Sequence, residues 1–303
     1  MNIYFYATFS NQDDFLKTLK KKIRGHSIFT KNDKIKLDII DVALVWKIPD
    51  GILKKLTNIK FLFSLGAGVD HILNLPSYNN VPIIRIKDPN MQIRMFNYVL
   101  SQILNYQLKL HEYQSAQTKK KWLDEKYTHL NNQITIGVLG LGYLGKFVAK
   151  KLQSLNYNVI GFKNLKSTKK SSVPIYYKNS IKKFLNSSDI IVNILPATPN
   201  TKNIINKNFL NQLKKNFLLI NVGRGSALNE NDLINHLKKN KNFFASLDVF
   251  EIEPLPKSHF FWKHPNVKVT PHVAAITDVH SSTDYIISKL EYFEKNKKIK
   301  SNF

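Results

Sequence analysis

The sequence predicts an α/β protein with a doubly wound parallel sheet and a second, smaller α/β lobe. Three observations carry that prediction. Short apolar runs alternate with helix-patterned stretches along the chain, a glycine-rich turn joins one such run to a helix, and 303 residues exceed the roughly 150 expected of one domain. At 43% hydrophobic, the chain has material for two cores.

Taken in order, the pattern places strands at 3–6, 39–46, 61–65 and 83–86, separated by helical segments such as 15–23. These make the small first lobe. From Gln92 to Gln117 there is neither proline nor glycine, and Met95, Tyr98, Val99, Ile103 and Tyr106 recur at helical spacing, so one long helix is expected to leave this lobe. A polar stretch, 119–133, then leads into strands at 134–139, 159–162, 190–195, 217–222, 244–249 and 267–270, the larger lobe. The final helical pattern, 283–294, is suited to packing back on the first lobe. No solenoid repeat or low-complexity linker interrupts the series. The expected division is 1–100 and 272–303 for one domain and 101–271 for the other.

Composition excludes several function classes. With no cysteine, disulfides, thiolate zinc sites and a cysteine nucleophile are ruled out, and no metal is expected. The start, Met1-Asn2-Ile3-Tyr4, has no charged leader before an apolar segment, and no run approaches the roughly 18 apolar residues that span a bilayer. A soluble, cytoplasmic protein without membrane partner is the expectation. The formal charge of +25 invites a polyanion-binding reading, but the lysines are scattered through every segment among abundant Asn, Ile, Tyr and Phe. That distribution fits an AT-rich coding sequence, so Lys119, Lys120 and Lys121 read as a solvated face and no nucleic-acid partner is expected.

The run 134–139 is a buried strand followed at once by Gly140-Leu141-Gly142-Tyr143-Leu144-Gly145 and a helix with apolar Phe147, Val148, Leu152 and Leu155. This is the setting of a Rossmann-type dinucleotide loop. Gly140 allows the tight turn, Gly142 admits a pyrophosphate to the backbone, and Gly145 permits close packing. The diphosphate then meets the positive end of the helix. Where the next strand ends, near Gly161-Phe162, no acidic residue is present to take the ribose hydroxyls of NAD. Lys163, Lys166, Lys169 and Lys170 surround the position and would neutralise a 2′-phosphate, which favours NADP (NADPH) with NAD as the alternative.

Polar residues stand just past several strands of the larger lobe, where doubly wound sheets place their ligands. Arg224, between Gly223 and Gly225, can pair with a carboxylate through parallel hydrogen bonds. Of nine histidines, His272 alone joins a strand end to a small, apolar segment, Val273-Ala274-Ala275-Ile276. Reducing a carbonyl requires a proton at oxygen as hydride reaches carbon, and an imidazole serves that purpose. A carboxylate beside it would fix its orientation, and by position either Glu251 or Glu253 qualifies.

These residues sit in ordered motifs: 65–71 (LGAGVDH), 137–145 (GVLGLGYLG), 195–201 (LPATPNT), 221–225 (NVGRG), 247–256 (LDVFEIEPLP) and 271–277 (PHVAAIT). With them the chain resembles, nearly end to end, the D-isomer-specific 2-hydroxyacid dehydrogenases, and most of all their glyoxylate- and hydroxypyruvate-reducing branch. The resemblance implies a catalytic set of Arg224, Glu253 and His272, choosing Glu253 over Glu251. It implies that the backbone of Ala67, Gly68 and Val69 binds the substrate carboxylate, that Trp46 closes the substrate pocket, and that Asp248 approaches the nicotinamide amide. Tyr143, Leu144, Pro196, Thr198, Val222 and Gly223 are expected at the cofactor on the same ground. It further implies a flavodoxin-like substrate domain built from both chain ends, a cleft between lobes as the active site, and a homodimer joined through the nucleotide lobe. The reaction so implied is NADPH-dependent reduction of a small 2-oxo acid, glyoxylate to glycolate and hydroxypyruvate to D-glycerate. Another D-2-hydroxy acid pair, such as lactate or a phosphorylated substrate, and a non-enzymatic NAD(P)-binding regulator of the same fold are the alternatives. The chain departs from the branch at Gly223, where alanine is usual, at Asn97, where glutamate is usual, and in having lysines rather than arginines after the second cofactor strand.

Overall fold

The computed structural model describes residues 1–163 and 171–303. They divide into two compact units, unit 1 with Met1–Met91 and Ile276–Phe303 and unit 2 with Gln92–Ala275.

Unit 1 is a five-stranded parallel sheet of β1 (Asn2–Tyr6), β2 (Ser27–Phe29), β3 (Val42–Val45), β4 (Phe61–Ser64) and β5 (Ile83–Arg85), in the order β2-β1-β3-β4-β5. That order is flavodoxin-like. Its central strands β3 and β4 are buried along their whole length because both faces are covered, with alternate residues going to opposite sides. Phe61 and Phe63 join Ile3, Phe5, Phe15 and Leu19 on one face, while Leu62 packs with Tyr4, Ala43 and Leu53 on the other. The first face is closed by helices Gln12–Lys22 and Val279–Asn296, the second of which buries Ile286 and Leu290 in the same cluster. Both chain ends therefore build this unit. Asp278 caps the C-terminal helix by accepting from Ser281 N at 3.0 Å, and buried Asp88 accepts from Asp278 N at 2.9 Å and from the Ser281 hydroxyl at 2.7 Å.

Unit 2 holds a seven-stranded, wholly parallel sheet of β6 (Thr135–Leu139), β7 (Asn158–Lys163), β8 (Ile175–Tyr177), β9 (Ile190–Asn193), β10 (Phe217–Asn221), β11 (Phe243–Leu247) and β12 (Val267–Val269). The order β12-β11-β10-β9-β6-β7-β8 reverses direction between β6 and β9, the doubly wound arrangement. Leu139, Ile191, Phe217, Leu219, Ala245 and Leu247 share one buried face with Leu233 and Leu237 of helix Glu230–Lys239.

Three features differ from the sequence expectation. The long helix breaks into Pro89–Gln107 and Leu110–Thr118, with Lys109 at φ 57 between them. No glycine or proline marks the break. Tertiary bonds do: buried Gln107 donates to His129 O at 2.8 Å and Asn131 Oδ1 at 3.0 Å and accepts from the Tyr157 hydroxyl at 2.6 Å. Second, β2 and β8 have no counterpart in the predicted strands. Each is three residues long and lies at a sheet edge, where a single neighbour defines the strand. Third, the units divide at 91/92 and 275/276 rather than at 100/101 and 271/272. His272 N donates to Asp248 O, and Val273 N and Ala274 N donate to the Asp248 carboxylate, which ties these residues to unit 2. No helix among the described residues is long and apolar enough to cross a membrane.

His236 packs edge-on against Phe243 at 4.7 Å, and burial pushes its pKa below the ordinary histidine value, as it does for His111 and His264. Folding therefore resists protonation of these rings. The stability they confer is present above the unfolded histidine value of about 6.5 and is lost as pH falls through the lower folded values. The melting temperature should drop between pH 7.5 and 5.5, and His236→Phe should flatten that drop in thermal denaturation across the pH range.

Candidate active site

All strands of unit 2 point the same way, so their C-terminal ends share one edge of the sheet. Along that edge lie the glycine loop after β6, the 194–201 turn after β9, Arg224 after β10, Asp248 and Glu253 after β11, and His272 after β12. This brings to one edge expected site residues from five separate segments of the sequence.

The glycine loop occupies the switch point. Gly140 adopts φ 95, a conformation that side-chain-bearing residues rarely take, and a Cβ there would lie 2.9 Å from the Ile194 carbonyl oxygen after β9. At Gly145 a Cβ would lie 1.9 Å from Gly140 O, so the helix rests directly on the loop. Gly142 is the opposite case, since no heavy atom comes within 4 Å of its added Cβ. It precedes helix Tyr143–Ser154, whose first amides include those of Tyr143 and Leu144. An open backbone at the N-terminus of a twelve-residue helix fits the diphosphate of a dinucleotide. Lys163 ends β7 and is half-buried, whereas Lys166, Lys169 and Lys170 lie outside the described residues.

A pair of buried asparagines shapes the two turns beside this loop. Asn193 Nδ2 donates to Asn221 Oδ1 at 2.8 Å, Asn193 Oδ1 accepts from Leu195 N at 3.2 Å, and Asn221 Oδ1 accepts from Gly223 N at 3.4 Å. Both asparagines are fully buried, so their mutual bond satisfies groups that would otherwise be stranded. Their signal in the sequence is a polar residue closing each of two apolar strands. Val222 continues the ladder through its N–H to Asn193 O at 3.0 Å. Pro196 and Thr198 are exposed on the first turn, which Thr201 folds by donating to Pro196 O at 2.6 Å and accepting from Thr198 N at 2.9 Å.

Arg224 has extended backbone and is half-buried, with Nη1 donating to Gly223 O at 3.0 Å. The next residue, Gly225, packs so closely that a Cβ would lie 1.9 Å from the Phe250 carbonyl carbon. Phe250 N in turn donates to Glu253 Oε1 at 3.2 Å. Glu253 Oε2 is 2.9 Å from His272 Nδ1, so the ring's Nε2 is the nitrogen left to serve a substrate. Glu251 does not reach the histidine. It is exposed, and its N–H donates to Glu230 Oε1 at 3.0 Å. His272 itself is exposed and held at φ 57.

Asp248 is 1% exposed, and its oxygens are spoken for within the protein. Oδ1 accepts from the Thr270 hydroxyl at 2.6 Å and Val273 N at 2.9 Å, and Oδ2 accepts from Ala274 N at 2.9 Å. Sequence reasoning placed Asp248 at the site but did not find Thr270 or Tyr98, whose hydroxyls lie 2.6 Å apart. A tyrosine in a helical stripe carries no mark that separates it from core.

The remaining expected residues belong to unit 1. Ser64, fully buried at the end of β4, donates to Gly68 O at 2.5 Å and lies 2.9 Å from His71 Nε2. Lys47 N donates to His71 Nδ1 at 3.1 Å, so the ring is neutral with its proton on Nε2, directed at Ser64. This relay fixes the turn carrying Ala67, Gly68 and Val69. Trp46 packs against His71 in a tilted arrangement with ring centroids 4.4 Å apart, and covers Gly66, where a Cβ would lie 2.5 Å from its ring. Among the described residues no group of three or more His, Asp or Glu is placed to hold a metal ion.

A glycine loop at a switch point beside an arginine and a carboxylate-bound histidine is the layout of a dinucleotide-linked oxidoreductase. Residues 100–274 match the family described as D-isomer specific 2-hydroxyacid dehydrogenase, NAD binding domain, and the chain belongs to this family. It is 34% identical to the glyoxylate/hydroxypyruvate reductase A of Yersinia enterocolitica, over 97% of this chain and 95% of the relative. The protein of that name from Serratia proteamaculans is 36% identical, over 96% and 94%. Among solved structures, the NADPH-dependent glyoxylate/hydroxypyruvate reductase of Sinorhizobium meliloti in complex with NADP and sulfate matches with a TM-score of 0.90 at 32% identity, covering 97% of this chain and 95% of that one. A D-isomer specific 2-hydroxyacid dehydrogenase of Xanthobacter autotrophicus Py2, in complex with NADPH and MES, matches with a TM-score of 0.91 at 30% identity, covering 98% and 96%.

The two glycines make opposite predictions. Gly145→Ala must displace backbone and should destabilise the protein by about 1–3 kcal/mol, whereas Gly142→Ala, with open space around it, should cost only the poorer N-cap, about 0.5 kcal/mol. Urea denaturation of the two variants measures the difference.

Proposed function

We propose that the protein is a cytoplasmic, NADPH-dependent reductase of small 2-oxo acids, converting glyoxylate to glycolate and hydroxypyruvate to D-glycerate. The observation that supports this most is the 2.9 Å contact between Glu253 and His272 Nδ1 on the edge of the sheet that also carries the glycine loop. The relatives' names agree with it.

In this reading Arg224 takes the substrate carboxylate through its planar donors and polarises the neighbouring carbonyl. His272 delivers a proton from Nε2 to the carbonyl oxygen, and Glu253, bound at Nδ1, orients the ring. The backbone of Ala67, Gly68 and Val69 adds donors for the carboxylate, and Trp46 walls that turn. Gly140, Gly142, Tyr143, Leu144 and Gly145 together with Pro196, Thr198, Val222 and Gly223 would hold NADPH, which when bound would supply the hydride. Lys163 and Lys166 favour its 2′-phosphate over the bare ribose of NAD. Asp248, whose oxygens serve the His272 turn, contributes to the cofactor pocket by shaping it.

A homodimer is part of the proposal. In residues 119–130 Trp122 is 98% exposed, Tyr127 76% and Leu130 68%, an apolar surface suited to a second copy of the chain. Sedimentation should give twice the mass of 35.1 kDa for the native protein, and Trp122→Glu should shift it toward the monomer.

Oxidation of NADPH, followed at 340 nm with glyoxylate, hydroxypyruvate and pyruvate and repeated with NADH, tests activity, cofactor and substrate together. Glyoxylate and hydroxypyruvate should be reduced with NADPH preferred. His272→Ala should lose about two to four orders of magnitude in kcat. Near-native turnover by that variant contradicts the proposal, and a marked preference for pyruvate points to the lactate pair instead.

A further inference from the structure

A chain of hydrogen bonds reaches the site from helix Pro89–Gln107. The Tyr98 hydroxyl lies 2.6 Å from Thr270 Oγ1 and 3.3 Å from Ser246 Oγ, and Thr270 Oγ1 lies 2.6 Å from Asp248 Oδ1. An ionised carboxylate only accepts, so the Thr270 proton goes to Asp248. The Tyr98 phenol must then donate to Thr270, and Ser246 is left to donate to the phenol oxygen. Each direction follows from the one before it. Burial pushes the Tyr98 pKa above the ordinary tyrosine value, which keeps the phenol a donor through the neutral range.

At its far end the chain grips the residues around the catalytic histidine. Asp248 receives Val273 N and Ala274 N through its side chain and His272 N through its main-chain oxygen, at 2.8–2.9 Å. Those bonds hold His272 at φ 57, a conformation that a residue with a side chain does not keep unless its surroundings impose it.

We infer that Tyr98 is a positioning residue for His272: through Thr270 and Asp248 it fixes the 272–274 backbone so that the imidazole meets Glu253 and the substrate carbonyl. The inference rests on His272 being the proton donor. Without the phenol proton, the Thr270 hydroxyl loses the partner that sets its rotamer, and the Asp248 carboxylate keeps its two amide donors but loses the fixed direction of its hydroxyl donor. A proton donor displaced by a fraction of an ångström slows the chemical step while leaving the arginine's hold on the carboxylate intact. The loss should therefore fall on kcat rather than KM.

The test uses the full-length protein with Tyr98→Phe, Thr270→Val and Thr270→Ser. Steady-state kinetics with glyoxylate and NADPH are combined with melting temperatures and with 15N spectra of the histidine side chains, His272 being assigned from His272→Ala. Tyr98→Phe should lower kcat on the order of tenfold with KM within about twofold. Thr270→Val should lower kcat further, and Thr270→Ser, which restores the hydroxyl, should recover most of that loss. The His272 nitrogen shifts should move in Tyr98→Phe and Thr270→Val and return in Thr270→Ser. Native kcat and native His272 shifts in Tyr98→Phe overturn the inference, as do kcat losses that merely follow the melting temperatures while the His272 signals stay in place. If the native protein reduces no 2-oxo acid, the functional reading falls, and the His272 shifts alone decide the positioning role.

Discussion

The buried carboxylate of Asp248 sets the geometry around which the C-terminal edge of unit 2's sheet is arranged. A charge withdrawn from water must be met by donors, and here they are the Thr270 hydroxyl and the amides of Val273 and Ala274. Meeting that demand pins the chain just after β12 and leaves His272 in the left-handed region, which costs a non-glycine residue about 1–2 kcal/mol. The strain is held locally by several charge-assisted bonds. Its product is an exposed imidazole whose one nitrogen is already engaged by Glu253.

The same logic extends along the edge. Parallel strands deliver every loop to one side, but they do not by themselves space the loops correctly. Backbone contacts do that, where glycine at 140 and 225 lets one loop lie against the next, and the Asn193–Asn221 bond fixes the two middle turns. These residues contribute no chemistry. They convert a generic sheet edge into one where the open glycine loop, Arg224 and the Glu253-bound His272 follow parallel strands of one sheet. In unit 1 the Lys47–His71–Ser64–Gly68 relay does equivalent work for a single turn, again by satisfying buried polar groups rather than by adding new ones.

Much of this was legible in the sequence because the signals were local and periodic. The apolar runs of β1, β3, β4 and β6 announce a sheet covered on both faces, and the glycine loop follows its strand without a gap. Arg224 and His272 stood out because each closes a strand and carries a functional group. What was not legible depended on distant partners. The break at Lys109 comes from Gln107 meeting His129, Asn131 and Tyr157, and nothing within 107–110 records it. The edge strands β2 and β8 are too short to show a period. Glu253 and Glu251 are separated by a single residue, and position alone left both open; the family resemblance chose Glu253, and in the fold it meets His272 while the Glu251 N–H meets Glu230. Tyr98 looked like one more apolar position on a helix, since its role depends on Thr270, 172 residues away.

The central claim is that hydride passes directly to the carbonyl carbon of a 2-oxo acid while His272 supplies the proton. It is tested most directly by reducing hydroxypyruvate with NADPH carrying deuterium on the transferred face of C4, in ordinary water, and examining the product by mass spectrometry and chiral chromatography. The account predicts D-glycerate with one deuterium on C2 and none exchanged into solvent. Unlabelled glycerate, or a product of the opposite hand, would contradict it.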